Sequence, residues 1–301
     1  MSATGAIEQL EGRPWSGAVL RVVAGLLFAA MSICVKSLSD TTPLGEIVFY
    51  RSLFALIPLV IFLWLRSEFP SGLVTRRPLG HLLRSGLGAA AMFTSFASIA
   101  RLPLAEATLL SYLSPIFMAL AGVFILSERL TVTRASGVFT GFAGVLVLFW
   151  PELDGGQMAG GQLLGYIFSL LTGVLTAFAL ITVRTLSRTE STGAIAFYFV
   201  LTSMVCGLAT LPFGWTMPDG TGFVLLVMAG IFGGLAHIAN TIAFRLAEAS
   251  FLAPFDYFAI IWPLMADLLF FNQPMTSAFM VALPFVLAGG AITVMGHRKS
   301  S

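Results

Sequence analysis

Charged residues are scarce in this chain of 301 residues, and that scarcity excludes most soluble folds. Asp, Glu, Lys and Arg make up 10% of the sequence, whereas roughly a quarter is usual for soluble domains. With 16 basic and 14 acidic side chains, the chain cannot cover a soluble surface of this size with charge. It also lacks the basic stripe that nucleic-acid binding needs. Because 57% of the residues are hydrophobic, the composition indicates a polytopic membrane protein in a lipid bilayer.

Cysteines and catalytic motifs are equally sparse. The two cysteines, Cys34 and Cys206, lie in apolar runs, so neither a disulfide framework nor a cysteine-based metal site is indicated. The sequence has no phosphate-binding loop of the Walker type, no His/Glu cluster at metal-ligand spacing and no nucleophile elbow. We therefore expect no cofactor, no metal and no enzymatic activity.

Ten apolar segments have the length of membrane-spanning helices, which need about 20 mostly apolar residues. The segments predict an all-α protein whose spans are residues 17–38, 44–65, 80–100, 104–126, 134–150, 160–182, 193–212, 221–244, 249–271 and 276–296.

The distribution of positive charge predicts the orientation of these spans, because short cytoplasmic loops are enriched in Lys and Arg. With the N terminus in the cytoplasm, thirteen of the 16 Lys and Arg residues fall on the inner side, Arg21 and Arg84 among them. Arg51 lies within the second span. Both terminal tails, 1–16 and 297–301, are therefore predicted to be cytoplasmic.

An internal repeat divides the chain into two halves. The motif Ala-Glu-Ala surrounds Glu106 before the fourth span and Glu248 before the ninth, 142 residues later. Since each half has an odd number of spans, the second half crosses the membrane in the opposite sense. We predict an inverted 5+5 repeat of residues 17–150 and 160–296 joined by an outer linker at 151–159, an arrangement that many secondary transporters use.

Short motifs stand in and beside the second, fourth and fifth spans. They are Phe49-Tyr50-Arg51-Ser52-Leu53, Leu104-Ala105-Glu106-Ala107, Ser111-Tyr112-Leu113-Ser114-Pro115-Ile116-Phe117, Ser127-Glu128-Arg129-Leu130-Thr131, and Gly137 with Gly141-Phe142-Ala143-Gly144-Val145. With these motifs, the chain resembles the drug/metabolite transporter superfamily in its EamA-type branch over about residues 17–296. The second half departs from the pattern, since Asn272-Gln273-Pro274 stands where a Glu-containing loop is expected.

The resemblance implies an inner-membrane carrier whose central cavity is lined by helices of both halves. It also implies that the last helix of each half is peripheral. Relatives of this kind carry amino acids, riboflavin, S-adenosylmethionine, nucleosides or drugs.

Ionisable side chains within a membrane span are costly, so each is a candidate functional residue. Arg51 cannot deprotonate and requires an anion, either a substrate carboxylate or a buried acidic residue. Glu46 lies within a turn of the outer end of its span, where an interfacial role is the alternative to ion coupling. His237 and Asn240, three residues apart, share one face of the eighth span and either line a cavity or pack.

The ninth span carries the strongest prediction. Asp256 and Tyr257 follow Pro254, and Asp267 shares their face about three turns later. Because Pro115 interrupts the equivalent fourth span, the two broken helices indicate a binding site. Asp256 is the main candidate for proton coupling, and the alternative is that it neutralises a buried cation.

Aromatic rings predicted at mid-membrane depth suit a partly apolar organic substrate or a cation. The predicted substrate-binding residues are Tyr50, Arg51, Ser111, Tyr112, His237, Asn240, Asp256, Tyr257 and Trp262, and the ion-coupling candidates are Glu46, Asp256 and Asp267. Gly137, Gly141 and Gly144 form a stripe that permits close helix contact, either within the chain or in a homodimer.

These patterns predict a secondary active transporter that moves a small amphipathic metabolite by alternating access across a bacterial-type cytoplasmic membrane. Amino acids or related compounds are the favoured cargo, because Arg51 could meet a carboxylate and Asp256 an amine. Riboflavin, or an S-adenosylmethionine- or nucleoside-type metabolite, is the alternative cargo. A membrane scaffold or enzyme without transport activity is the alternative of another class. Transport direction, including export, and the coupling ion stay open.

Overall fold

The computed structural model describes residues 14–126, 131–153, 161–187, 189–247, 251–252, 255 and 259–298. Regular structure in these residues is entirely helical, with short 3-10 segments at Ser71–Leu73 and Leu211–Phe213. The continuous α-helices are α1 Pro14–Leu38, α2 Leu44–Leu65, α3 Pro78–Ile99, α4 Leu104–Ser111, α5 Ser114–Leu126, α6 Val132–Leu153, α7 Gln162–Leu186, α8 Thr192–Leu208, α9 Gly220–Leu246, α10 Ile261–Phe270 and α11 Ser277–Arg298.

Eight helical segments of the described chain are long and apolar enough to cross a membrane. They correspond to the first four predicted spans, with α4 and α5 together forming the fourth, and to the sixth, seventh, eighth and tenth. Two shorter apolar helices, Ala135–Trp150 and Ile261–Phe270, lie in the fifth and ninth predicted spans. The all-helical membrane class is thus confirmed, while the ten-span inverted repeat and the cytoplasmic termini stay predictions.

Local chemistry explains where several helices begin. Ser191 accepts a hydrogen bond from the amide of Ala194 (3.0 Å) at the start of α8, and Asp219 caps α9 in the same way. The fourth span breaks between α4 and α5, where Pro115 stands at the second position of the new helix. Proline lacks an amide hydrogen, which suits the first turn of a helix and disrupts its interior.

The chain forms two compact units, and each draws on both sequence halves. The first unit comprises Met1–Ala89 and Thr182–Ala266, and the second comprises Ala90–Ile181 and Asp267–Ser301. In the first unit, α9 packs against α1 and α2, and α2 also packs against α8. The first unit therefore brings together the predicted site residues of α2 and α9.

In the second unit, α11 packs along α6 through the predicted glycine stripe. A Cβ atom at Gly137 would lie 2.9 Å from the carbonyl oxygen of Gly289, and one at Gly144 would lie 2.8 Å from Val286 Cγ2. Glycines, which have no side chain, stand where the two helices approach most closely, so the stripe serves packing within the chain.

Candidate functional site

Arg51 lies in the interior of the first unit with no acceptor for its charge among the described residues. Its side chain is 2% exposed, and its Nε and Nη1 atoms are buried without a hydrogen-bond partner. The guanidinium lies over Gly233 of α9, where an added Cβ would be 2.9 Å from Nη2 and 3.0 Å from Nε. An arginine at the centre of a membrane helix costs about 2.5–3.5 kcal/mol on insertion scales, so a buried arginine without a partner indicates a site for an anion.

His237 stands one helical turn beyond Gly233 on α9, and its ring packs edge-on against two phenylalanines. The ring centroid of His237 is 5.2 Å from that of Phe28 and 5.7 Å from that of Phe199, at interplanar angles of 89° and 72°. Rings of α1 and α8 thus fix the imidazole one turn from the glycine that contacts Arg51.

Arg84 is a second arginine of this unit, half-buried, and the positive-charge pattern places it among the cytoplasmic residues. It lies on α3 with its Cζ atom 4.4 Å from the ring centroid of Phe199. Its Nε and Nη1 atoms are buried and have no hydrogen-bond partner in the part of the chain that the structure describes. A Cβ at Gly88 would be 2.7 Å from Nη1 of Arg84, so a glycine makes room for this guanidinium as well.

These residues form one cluster, which we call the two-arginine site: Arg51, Arg84, His237, Phe28 and Phe199. Phe199 contacts both the His237 ring and the Arg84 guanidinium, and Gly233, which contacts Arg51, is one turn from His237 on α9. Within the described residues, neither arginine forms an ion pair or a hydrogen bond with a carboxylate. The site therefore holds two fixed positive charges beside aromatic rings.

Three hydroxyl groups in the same helices are also buried without a partner among the described residues: those of Ser52, Ser85 and Ser203. They lie next to Arg51, next to Arg84 and one turn from Phe199 in the sequence. Buried polar groups are normally hydrogen-bonded, so such groups are candidate donors to a ligand.

A pocket between α2, α8 and α9 of the first unit has His237 in its wall. Its cavity volume is about 20 Å³, which is close to the space that one water molecule needs. Leu59, Ala196 and Thr241 line it beside His237, and Arg66 and Arg245 stand at its other end. Arg66 pairs there with Glu68, with 3.2 Å between Nε and Oε1. The pocket thus connects His237 with the end of the helices that the positive charge predicts to be cytoplasmic.

The other predicted site residues of the first unit have separate environments. Tyr50 belongs to an aromatic cluster and stacks on Phe54 at 6.3 Å between centroids. Asn240 accepts a hydrogen bond from Nη1 of Arg21, which lies in α1 and ties that helix to α9. Trp262 packs beside Gly25, and its Nε1 atom is buried without a partner among the described residues.

Glu46 lies in the first turn of α2 and is 1% exposed. Its carboxylate accepts a hydrogen bond from the backbone amide of Thr216 at 2.9 Å and one from the hydroxyl of Thr216 at 3.4 Å. These bonds join the start of α2 to the segment that precedes α9, which is a structural environment for this carboxylate.

In the second unit, the predicted residues Ser111 and Tyr112 stand at the break between α4 and α5. Tyr112 is the C-cap of α4, and the hydroxyl of Ser111 donates to the carbonyl oxygen of Thr108 at 2.7 Å. The break therefore places both residues at the end of a short helix.

Two acidic residues of the second unit support the beginning of α4. Asp267 accepts hydrogen bonds from the backbone amides of Leu104 (2.9 Å) and Ala105 (2.8 Å). Glu106 accepts bonds from the hydroxyl of Tyr166 at 2.7 Å and from that of Thr276 at 3.1 Å. Asp267 thus caps a helix 162 residues away in sequence, and carboxylates at a helix N terminus are favoured by its dipole.

The predicted residues Asp256 and Tyr257 lie outside the described residues, as do Pro254 and Glu248. Their roles in binding, proton coupling and helix breaking stay predictions. No group of three or more His, Cys, Asp or Glu side chains that could hold a metal ion occurs within the described ranges.

Comparisons with known proteins agree on the family. The EamA-like transporter family matches residues 15–150 of the chain. Over 285 residues, the chain is 29% identical to the pseudopaline exporter CntI of Pseudomonas aeruginosa, covering 93% of this chain and 94% of the exporter. It is 28% identical to a riboflavin transporter of Rhizobium johnstonii, covering 94% of this chain and 92% of that protein. By these matches, the chain is similar along nearly its whole length to EamA-type transporters.

Further matches extend this assignment. The chain is 25% identical to an S-adenosylmethionine uptake transporter of Rickettsia felis, with 81% of each chain covered. A crystal structure of a protein 20% identical to it has the same fold, with a TM-score of 0.65 and coverage of 93% of this chain and 97% of the other. The relatives of the present chain are transporters rather than enzymes. Together with its apolar helices, they make this chain a multi-pass protein of the bacterial inner membrane.

Proposed function

We propose that this protein is a secondary active transporter of small amphipathic organic acids, with amino acids and related metabolites as the favoured class, and that it works by alternating access. The observation that carries the proposal is the buried, unpartnered guanidinium of Arg51. Arginine binds a carboxylate through two parallel N–H···O bonds, and such charge-assisted bonds are stronger than neutral ones. A substrate carboxylate therefore supplies the anion that Arg51 requires.

The neighbours of Arg51 support an amphipathic rather than a fully polar substrate. A Cβ at Gly233 would lie 2.9 Å from Met31 Sδ as well as from Arg51, and Phe28 lies beside His237. Methionine and phenylalanine surfaces favour the apolar portion of a ligand, while the guanidinium fixes its charged end.

Counterflow in proteoliposomes tests the proposal. The purified protein is screened with amino acids and related carboxylated metabolites against their amides and methyl esters. We expect exchange of carboxylates only, and a loss of about tenfold or more in the Arg51→Gln variant. Arg77→Gln, which removes an exposed arginine outside the pocket and the two-arginine site, is the matched control and should retain exchange. Equal exchange of acids and amides, or no exchange of any carboxylate, would contradict the proposal.

The alternative function of Arg51 is a structural ion pair with Asp256, and it makes a different prediction. Removing one partner of a buried pair leaves an uncompensated charge, whereas removing both relieves it. The double variant Arg51→Gln/Asp256→Asn would then be more stable than either single variant. If Arg51 instead binds substrate and Asp256 couples protons, the double variant recovers nothing, and Asp256→Asn alone removes the response of transport to a pH gradient.

A flat aromatic metabolite is the second candidate cargo. The aromatic rings of Phe28 and Phe199 beside His237 favour it, and relatives of this chain are named as riboflavin and S-adenosylmethionine transporters. Thermal-shift measurements with flavins and with amino acids distinguish the two, because the true cargo class raises the melting temperature at the lower concentration.

A further inference from the structure

We infer that the substrate carries two anionic groups, one bound by Arg51 and the other by Arg84, as in a dicarboxylate or a carboxylate that also carries a phosphate. The inference rests on the proposed function and narrows its substrate class. Arg84 requires the second anionic group. The charge pattern of the sequence assigns this residue to the cytoplasmic surface, and only the structure places its guanidinium beside Phe199.

Arg84 is half-buried whereas Arg51 is fully buried, but the inner atoms of the two guanidinium groups have similar surroundings. Each has a buried Nε and Nη1 without a partner among the described residues, and each lies over a glycine that leaves room for its guanidinium. A cytoplasmic arginine has no need of such a recess, since its long side chain can extend to water. The recess at Gly88 therefore indicates a guanidinium held inward.

Phe199 orients the Arg84 guanidinium but does not neutralise it. The distance of 4.4 Å between Arg84 Cζ and the ring centroid is a cation–π contact. Such a contact contributes about 0.5–2 kcal/mol and leaves the positive charge in place. One bound carboxylate compensates one guanidinium, so the pair of arginines is matched by two negative charges.

The connection between the arginines defines where the substrate lies. Gly233, which contacts Arg51, is one turn from His237 on α9, a rise of about 6 Å. The His237 ring contacts the ring of Phe199, and the guanidinium of Arg84 lies over the face of that same Phe199 ring. A substrate that reaches from Arg51 to Arg84 passes the imidazole, and the buried hydroxyls of Ser52 and Ser85 are donors near its two ends.

Competition against counterflow tests this inference. Using a diacid that the wild-type protein exchanges, we compare its inhibition constant with those of its two monoamides and its diamide. We expect the diacid to bind about tenfold or more tightly than either monoamide in the wild type. In Arg84→Gln, the diacid and the monoamide that keeps the Arg51-bound carboxylate should bind equally. In Arg51→Gln, the other monoamide should bind as well as the diacid.

Two outcomes overturn the inference while leaving the proposed function intact. In the first, the wild type exchanges carboxylates but does not discriminate a diacid from its monoamides. In the second, the Arg51 and Arg84 variants each weaken all acids equally, as for one carboxylate shared by both arginines. The proposed function itself fails if the wild type exchanges no carboxylate, or if it exchanges acids and their amides equally.

A second variant keeps the test decisive if Arg84→Gln does not fold. Gly88→Ala retains the positive charge but places a Cβ where Arg84 Nη1 lies, so the guanidinium must move. We expect the preference for diacids to fall while monoacid exchange persists. An unchanged preference in this variant would contradict a role for Arg84.

Discussion

The guanidinium of Arg51 occupies the space above Gly233 that any other residue would fill with its side chain. Each guanidinium of the two-arginine site thus lies where a glycine has no side chain, which is Gly233 on α9 for Arg51 and Gly88 on α3 for Arg84. Since neither has an acceptor in the described part of the chain, the fold maintains two positive charges in an apolar unit.

Two alanine substitutions on α3 separate the effect of space from the effect of helix propensity. A Cβ at Gly88 meets Arg84 Nη1 at 2.7 Å and the Phe199 ring at 2.9 Å, whereas a Cβ at Gly86 meets nothing within 4 Å. Alanine favours a helix by about 0.8–1.0 kcal/mol over glycine. We expect Gly86→Ala to raise the melting temperature in detergent and Gly88→Ala to lower it. Equal shifts in the two variants would show that Gly88 has no spatial role.

The hydrogen bonds of Asp267 indicate that it caps α4. The sequence analysis instead makes it a candidate for ion coupling. Removing a helix cap costs about 0.5–2 kcal/mol. We expect Asp267→Asn to lower the thermal stability and to leave the pH dependence of transport, measured per folded protein, unchanged. A shifted pH profile in that variant would instead support ion coupling.

Glu190 links the pH of the medium to the stability of the first unit. Its carboxylate accepts hydrogen bonds from the Arg76 amide (3.1 Å) and interacts with His81 Nε2 (3.3 Å). Burial alone raises the pKa of Glu190, but these hydrogen bonds outweigh it and hold the pKa below its ordinary value of 4.5. The ionised carboxylate therefore stabilises the fold above pH 4.5, and this contribution disappears as the pH falls through the lowered pKa.

Melting temperatures of wild type and Glu190→Gln between pH 7 and pH 4 check this sign. The variant should be less stable at pH 7, and the difference should shrink below about pH 4.5. Glu68→Gln is the matched control, because Glu68 forms a partly exposed ion pair that contributes little. A difference that grows on acidification would contradict the assignment of the hydrogen bonds.

The pocket beside His237 is predicted to open to the cytoplasm. In a variant without Cys34 and Cys206, we expect Ala196→Cys to react with a membrane-impermeant maleimide in inside-out vesicles, and substrate to slow the reaction. Ala229→Cys, at a fully buried position on α9, should not react. Labelling of Ala196→Cys in right-side-out cells alone would contradict the orientation that the positive charges predict.

Much of the fold could be predicted from the sequence, because lipid requires long apolar helices whose backbone is hydrogen-bonded internally. The break at Pro115 was also readable, since proline disrupts a helix interior. Arg51 was recognisable because it stands deep in an apolar run. These features depend on local sequence alone.

The environment of Arg84 could not be predicted in the same way. Arg84 lies four residues inside the predicted third span, yet an arginine near a span end normally extends to water. Whether it turns inward depends on Gly88 and on Phe199, which belongs to a distant helix. Likewise, the bonds from Leu104 and Ala105 to Asp267 join residues more than 160 positions apart, for which the local sequence has no signal.

The pairing of Arg51 with a substrate carboxylate is tested most directly by measuring the affinity of one exchanged acid and of its amide for the wild type and for Arg51→Gln. A charge-assisted hydrogen bond contributes about 1.5–3 kcal/mol. The change from acid to amide should therefore weaken binding to the wild type about tenfold or more and leave binding to Arg51→Gln unchanged. An equal loss in both proteins would show that the carboxylate binds elsewhere and that Arg51 serves the fold alone.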